Sequence, residues 1–447
     1  MPHVVRIFFG EQNMDYLIEG LNVLTPGQAV MWCIGGLLIF LAIKKDMEPA
    51  LLLPMGFGAI LVNLPLSPVI GEILTLDVFR GIITDASLSL EEMYNQIVAI
   101  TNVDTAQFAF DNFVTIMQNA SLSVSDKYDA VVAITGMGAQ GIISSLFEVG
   151  IAASEAMPLL LFIGIGAMID FGPLLSNPKL FILGGAAQLG IFVTIILAAM
   201  IGFPIEDAAS IGIIGAADGP TAIMVSQVLK SNYTSAIIVV AYSYMALVPI
   251  VQPAVVKLCT TKKERRIKMN YTSTQVTKLT RIMFPIIVTL ISGLIAPESL
   301  SLVGMLMFGN LIRECGVLQS LSETAQTTFS NIITLLLGIT IAFQMQAESF
   351  LRIETLIIMA LGLFAFVFDT IGGVFCAKFM NLFTKNKINP IIGAAGISAF
   401  PMAARVAEKL GIQEDPSNHL LMHAVGVNVS GQIASAIVGG LIIGLVL

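Results

Sequence analysis

IIGAADGP, Ile213 to Pro220, breaks an apolar stretch with a carboxylate, a glycine and a proline, and its first five letters return at Ile391 to Ala395 in IIGAAGIS. A bare carboxylate in hydrocarbon costs about 2.5–3.5 kcal/mol on insertion scales, so it is kept where it faces an ion, a proton path or a partner charge. Gly215 and Gly219 relax the backbone, and Pro220 suits the first turn of a new helix. A helix ending near Ala217 leaves carbonyl oxygens unpaired, while one starting at Pro220 aims its positive end into the same gap. Irregular backbone at membrane depth survives where it lines a cavity. Carbonyls plus Asp218 make a hard-oxygen site suited to Na⁺ or H⁺, and the plainer alternative is that Asp218 only caps a helix.

The rest of the chain supplies the membrane. Hydrophobic residues fill 56% of 447 positions and charged ones 12%, and the mean hydropathy of +0.89 excludes a soluble core of this size. An all-α polytopic membrane protein is predicted, with long apolar stretches near Pro26–Ile43, Leu180–Gly202, Tyr242–Val256 and Ile353–Ala377. Residues 1–24 lack a cleavable signal pattern, because Glu11, Asp15 and Glu19 follow a short apolar run. They read as an amphipathic segment with Met14, Leu17, Ile18 and Leu21 on one face. Cys33, Cys259, Cys315 and Cys376 are far apart and read as packing residues rather than as a metal or disulfide framework.

Charge fixes the sidedness. From Lys257 to Arg281 the chain carries eight basic residues and one acid, Glu264, which predicts a cytoplasmic loop. Residues 72–129 hold nine acids and two bases, Arg80 and Lys127, and are assigned to an extracytoplasmic insert at about 65–145. Lys44, Lys45 and Arg313 mark inner ends; Glu206 and Asp207 suggest an outer one. If Ile211–Leu229 crossed fully, Tyr242–Val256 would end outside and contradict the basic loop. The segment broken at Asp218 is therefore expected to be a re-entrant hairpin entering from outside, and the segment Pro390–Leu410 a second one entering from inside. Such a pair marks an inverted repeat with its site near the midplane. Ile213 pairs with Ile391 at an offset of 178 and GFGAIL at Gly56–Leu61 with MFGNLI at Met307–Ile312 at 251; the difference falls where the insert lies. The repeats are placed at 25–256 and 282–447, joined by the basic loop 257–281. Residues 130–151 are apolar enough to add a crossing and upset this count.

Oxygen donors gather at the second break and in the last span: Asn389, Ser398, Asn428, Ser430 and Ser435. Asn389-Pro390 also reads as an ordinary cap and first turn, and serines in membrane helices commonly bond their own backbone. Tyr244 in AYSYMALVP could pass or accept a proton beside Asp218, or simply pack. Arg405, permanently charged, suits an incoming carboxylate or a snorkelling anchor at the inner face. His419 and His423 stand four apart without a third ligand nearby, which argues against zinc. Asp170, Glu348 and Asp369 are further acids in apolar context, Asp170 being expected at a helix end near the inner surface. Phosphate-binding loop and nucleophile-elbow patterns are missing from the sequence.

At these residues the chain resembles the β subunits of sodium-pumping biotin-dependent decarboxylases, which include those for oxaloacetate, methylmalonyl-CoA and glutaconyl-CoA. The strings that carry the resemblance are EPALLLPMGFG (Glu48–Gly58), GAMIDFGPLLSNP (Gly166–Pro178), IGIIGAADGPTAI (Ile211–Ile223), AYSYMALVPIVQP (Ala241–Pro253), TTKKERRIKM (Thr260–Met269), NKINPIIGAAGISAFPMAARV (Asn386–Val406) and LLMHAVGVNVSGQIASAI (Leu420–Ile437). It implies a subunit in the cytoplasmic (inner) membrane that receives carboxybiotin in trans from a biotin carrier, releases CO₂ and moves Na⁺ outward while a proton is consumed. It also implies partners, a biotin carrier/carboxyltransferase subunit and a small γ-type membrane subunit, together with lipid and a homo-oligomeric core. Residue by residue it points to Asp218, Tyr244 and Arg405 for catalysis, with Arg405 meeting the carboxybiotin, and to Asp218, Asn389, Gly393, Ser398, Asn428 and Ser435 for Na⁺. Two other readings stand beside it: a secondary Na⁺-coupled organic-anion transporter, and a non-catalytic anchor, which would leave Asp218 unexplained.

Overall fold

The computed structural model describes residues 24–45, 48–65 and, apart from 270–275, everything from 141 onward, with shorter stretches between 79 and 131. The amphipathic segment and much of the acidic insert lie outside the described residues. The insert's described helices, Leu90–Thr101 and Phe110–Gln118, share a small core of their own built on Phe79, Tyr94, Phe108 and Phe113.

All regular structure among the described residues is helical, and seven helices are long and apolar enough to cross a membrane. The first half runs α1 (Pro26–Lys45), α2 (Pro49–Val62), α3 (Ala156–Met168), α4 (Leu180–Ala186) and α5 (Leu189–Ile201), then α6 (Ile205–Gly212), α7 (Gly219–Val228) and α8 (Thr234–Cys259). The second half runs α9 (Lys278–Ile295), α10 (Leu300–Glu314), α11 (Ser330–Ile341), α12 (Ile353–Phe383), α13 (Ile391–Ala394), α14 (Met402–Glu414) and α15 (Leu421–Val446). Local chemistry sets the ends. Thr25 and Gln28 cap α1 reciprocally, each side chain taking the other's amide, and Lys44 and Lys45 close it. Ile142–Ala152, which includes the described end of the apolar run at 130–151, is bent by 69° from α3.

The two halves interlock reciprocally. The third helix of each crosses the second helix of the other, α3 on α10 and α11 on α2, and both crossings close on glycine. A Cβ on Gly166 would lie 1.9 Å from the Leu306 carbonyl oxygen and one on Gly309 2.0 Å from that of Ile163; at the other crossing a Cβ on Gly58 would meet Ala342 at 2.5 Å. A π-helical turn precedes α3 and another precedes α11, at Glu148–Ala152 and Ala325–Phe329.

Between the repeats lie two re-entrant hairpins. The first descends through α6 and a 3₁₀ turn, Ile213–Ala216, reverses at Ala217 (φ 52) and Asp218, and returns through α7. Its feet are tied together, because the Asp207 carboxylate accepts from the Ser231 hydroxyl (2.7 Å) and the Asn232 amide N–H (2.9 Å). The second passes through α13 and α14. Its feet share one acceptor, the Arg265 carbonyl, which takes Asn389 Nδ2 at 2.8 Å and Asn418 Nδ2 at 3.1 Å. The 26 residues of α8 separate the two sets of feet, a rise of about 39 Å, so the hairpins enter from opposite faces. Their tips meet where the Ser398 N–H donates to the Ala216 carbonyl at 2.9 Å.

Candidate functional site

Asp218 sits at the first tip, extended, directly before the Gly219-Pro220 start of α7. It is 3% exposed. Its Oδ2 accepts from Thr221 Oγ1 at 2.7 Å, Ser435 Oγ at 3.0 Å and Gln432 Nε2 at 3.2 Å. These donors are neutral, and the two hydroxyls can rotate to present lone pairs instead of protons. One carboxylate among neutral oxygens can take a monovalent cation without leaving a surplus of charge; a divalent ion usually recruits more carboxylates.

Asp218 faces a cavity of about 240 Å³ whose walls include Glu48, Tyr242, Gln326, Asn331, Ser398 and Gln432. Glu48 lies in the turn after Lys44 and Lys45, so the cavity reaches toward the face that carries the basic loop. Burial pushes the Glu48 carboxyl up and the Arg405 guanidinium pulls it partly back. A larger hollow of about 800 Å³ at the basic face, lined by Lys179, Lys268, Lys385 and Lys387, holds none of the candidate residues.

The residues singled out from sequence divide into two groups. Asp218, Ser398, Asn428 and Ser435 come together around the tips. Ser398 bonds the Gly431 carbonyl at 3.1 Å through its hydroxyl, and Asn428 donates to the Ile397 carbonyl at 2.7 Å. Asn428 Oδ1 is buried without a hydrogen-bond partner among the described residues, an oxygen whose desolvation is uncompensated. Asn389 and Gly393 lie elsewhere. Asn389 spends its amide on the Arg265 and Ile267 carbonyls and its oxygen on the Ile391 N–H, so it ties the second hairpin's foot to the basic loop. Gly393 lets α13 touch α12, since a Cβ there would lie 2.1 Å from the Gly373 carbonyl oxygen.

Tyr244 is engaged away from the cavity, its hydroxyl donating to the Met359 carbonyl on α12. The tyrosine beside Asp218 is Tyr242, whose ring covers Gly219 so closely that a Cβ there would be 2.1 Å from it. The Tyr242 hydroxyl is buried without a partner among the described residues. Positions two apart on a helix are rotated by roughly 200°, so one of the pair at most can face the tip. Gln432 and Thr221 were also missed. Arg405 is exposed on the outer side of α14 beside Glu408, Lys409 and Gln413. Asp170 binds the Gly172 N–H at 2.8 Å and stands 3.5 Å from Arg281, at the helix end expected of it. Glu408 takes the Leu421 amide N–H at 2.7 Å, capping α15, and His419 at 2.9 Å.

The model of the family described as "Na+-transporting oxaloacetate decarboxylase beta subunit" matches residues 27–446. The chain belongs to this family. It is 42% identical to the oxaloacetate decarboxylase beta chain of Klebsiella pneumoniae, over 98% of this chain and 99% of that protein. Against the methylmalonyl-CoA decarboxylase subunit beta of Propionigenium modestum the identity is 44%, covering 96% and 98%. Against the glutaconyl-CoA decarboxylase subunit beta of Acidaminococcus fermentans it is 40%, covering 96% of each. Beta subunits named for three different substrates are thus nearly equally similar to it.

Proposed function

We propose that this protein is the membrane subunit that decarboxylates carboxybiotin delivered by a biotin carrier and couples CO₂ release and proton consumption to Na⁺ export across the cytoplasmic membrane. Membership of the beta-subunit family gives the class of activity. The observation that carries the coupling is Asp218, a buried carboxylate with neutral donors at the meeting point of two opposed hairpins.

Loss of CO₂ breaks the N–C bond of carboxybiotin and leaves its electron pair on the ureido nitrogen, which must be protonated. A poorly hydrated cavity disfavours the starting carboxylate relative to the charge-dispersed transition state. Arg405, outside the cavity and acting on Glu48 at its wall, recruits or gates the incoming carboxylate; a tight pair at the moment of reaction would slow the loss of CO₂. Asp218, Ser398, Asn428 and Ser435 hold Na⁺, and Tyr242 is the phenol placed to pass a proton beside Asp218. Tyr244 fixes α8 against α12 through Met359. Choice of the acid lies with the carboxyltransferase partner, which fits the near-equal similarity to relatives named for three substrates. A biotin carrier/carboxyltransferase subunit, a γ-type membrane subunit and a homo-oligomeric core complete the assembly we propose.

The test is reconstitution in vesicles with carboxylated biotin carrier, following CO₂ release and radioactive Na⁺ uptake together. Asp218→Asn keeps the volume and loses the charge, and is expected to abolish both signals in a protein that elutes and melts like the wild type. Near-normal Na⁺-dependent turnover in that variant would sink the proposal. Na⁺ uptake without CO₂ release would instead make the chain a secondary carrier.

A further inference from the structure

The proposed chemistry leaves one buried carboxylate without a task. Asp369 stands near the midpoint of the 31-residue α12 and is 0% exposed. Its Oδ1 accepts the N–H of Ile191 at 3.2 Å. The span Leu180–Ile201 is interrupted at Ala187 and Gln188, so α5 opens a helix N-terminus in mid-membrane, and Gln188 makes no side-chain cap there. Oδ1 fills that gap, which accounts for half of the carboxylate.

Oδ2 is not accounted for. It has no hydrogen-bond partner among the described residues, and it faces Gly215 so directly that a Cβ there would lie 2.6 Å away. Thr194, one turn along α5 from Ile191, is also 0% exposed with its hydroxyl unpartnered among the described residues. Residues 191 and 369 are 178 apart, the offset that pairs Ile213 with Ile391, so Asp369 touches its own repeat equivalent and lies where the two halves meet. An uncompensated carboxylate oxygen at this depth is costly, and evolution keeps one where something occupies it.

We propose that Asp369 Oδ2 is a ligand of a second buried site for a monovalent cation, between α12, α5 and the 3₁₀ turn Ile213–Ala216, with the Thr194 hydroxyl as a further ligand. One carboxylate with neutral oxygens suits a monovalent ion. That the ion is Na⁺ rests on the decarboxylase-pump reading above; that a cation site exists does not. Asp369 contacts Gly215 on one side of the tip turn while Asp218 faces the cavity three residues later. An occupant at Asp369 therefore biases the position of the turn that carries Asp218, and the two sites are coupled through it.

Asp369→Asn separates capping from ligation, because its carbonyl oxygen still accepts the Ile191 amide while an NH₂ group replaces Oδ2. Equilibrium binding of radioactive Na⁺ to the purified full-length protein, without carrier, counts sites independently of turnover. The expected result is one Na⁺ fewer per chain in Asp369→Asn than in the wild type, with the melting temperature and elution volume retained. Thr194→Val, which removes only the hydroxyl, should weaken Na⁺ at that site about tenfold and serves if Asp369→Asn does not fold. Wild-type stoichiometry and affinity in both variants, or in Thr194→Val alone where Asp369→Asn is unfolded, would reduce Asp369 to a helix cap. Failure of the Asp218 proposal would show instead as persistent CO₂ release in Asp218→Asn, leaving the Asp369 count unaffected.

Discussion

Asp218 is surrounded by groups that solvate its charge without cancelling it, and the residues around it differ in how visible they were beforehand. Asp218, Ser398, Asn428 and Ser435 could be read from the sequence because an oxygen in an apolar string is expensive unless employed. Asn389 carries the same cost in sequence but spends it on two loop carbonyls, and Gly393, which only the family resemblance pointed to, serves backbone contact. Tyr242 and Tyr244 are indistinguishable by composition and are sorted by helix rotation. Tyr242→Phe removes an unpartnered hydroxyl, so the melting temperature should hold while decarboxylation falls about 10²-fold if the phenol passes the proton. Tyr244→Phe loses a hydrogen bond to Met359, about 1 kcal/mol of stability, with a smaller effect on rate; the reverse ranking in a rate assay would return the proton step to Tyr244. At Arg405, Lys should keep part of the activity. Ala should chiefly raise the carrier concentration needed for half-maximal rate, because an exposed charge steers encounter; an unchanged concentration dependence with a collapsed maximal rate would move Arg405 into the chemistry.

Helices in this fold meet through missing side chains, a property that single apolar strings do not disclose. Gly304 and Gly309 lie on the same helix, yet a Cβ at Gly304 finds nothing within 4 Å whereas one at Gly309 falls 2.0 Å from the Ile163 carbonyl oxygen. Gly304→Ala should therefore be neutral or stabilising by about 0.5–1 kcal/mol, and Gly309→Ala should cost at least the 1–3 kcal/mol typical of overpacking. Thermal melts in detergent give the comparison, and equal effects would mean that the α3–α10 crossing is looser than described. The elements themselves were legible where hydropathy was unbroken. α8 begins at Thr234, eight residues before the apolar stretch expected at Tyr242, because Thr, Ser and Ala are helix-compatible without being conspicuous. The loop after α14 carries a measurable charge effect: Asp415 accepts from the Ser417 hydroxyl and amide and meets Lys268, which lowers it from 3.8 to about 2. A depressed carboxylate contributes stability above its unfolded value and loses it as pH falls through the folded one. Asp415→Asn should flatten the decline in melting temperature between about pH 4 and pH 2; an unaltered slope would assign that decline to other carboxylates.

For the molecule as a whole, charge parity, one five-letter match and one looser six-letter pairing were enough to anticipate opposed hairpins, since an odd number of crossings per repeat inverts the second. The reciprocal crossings and the on-axis contact of Ile191 with Asp369 were beyond reach, because they depend on which faces meet. Sidedness is open to direct measurement. Glu206 and Lys387 are both exposed, beside the feet of the first and second hairpins respectively. Cysteines placed there, in a background without the four native ones, should react with an impermeant thiol reagent from opposite sides of the membrane, Lys387→Cys from the cytoplasm. Labelling of both from one side would refute the inverted arrangement.

The Arg265 carbonyl holds both ends of the second hairpin, and this confines how that hairpin can move. Its feet cannot spread without breaking at least one of these two amide bonds, so while both hold the unit swings as a lever with Arg265 as fulcrum. From that pivot to the tips is about half a bilayer core, roughly 15 Å. A tilt of about 10° then carries the tip some 2.6 Å, beyond the tolerance of the Ser398–Ala216 hydrogen bond. A small tug on the basic loop, such as a docking carrier would exert, is geared up into separation of the two tips in mid-membrane.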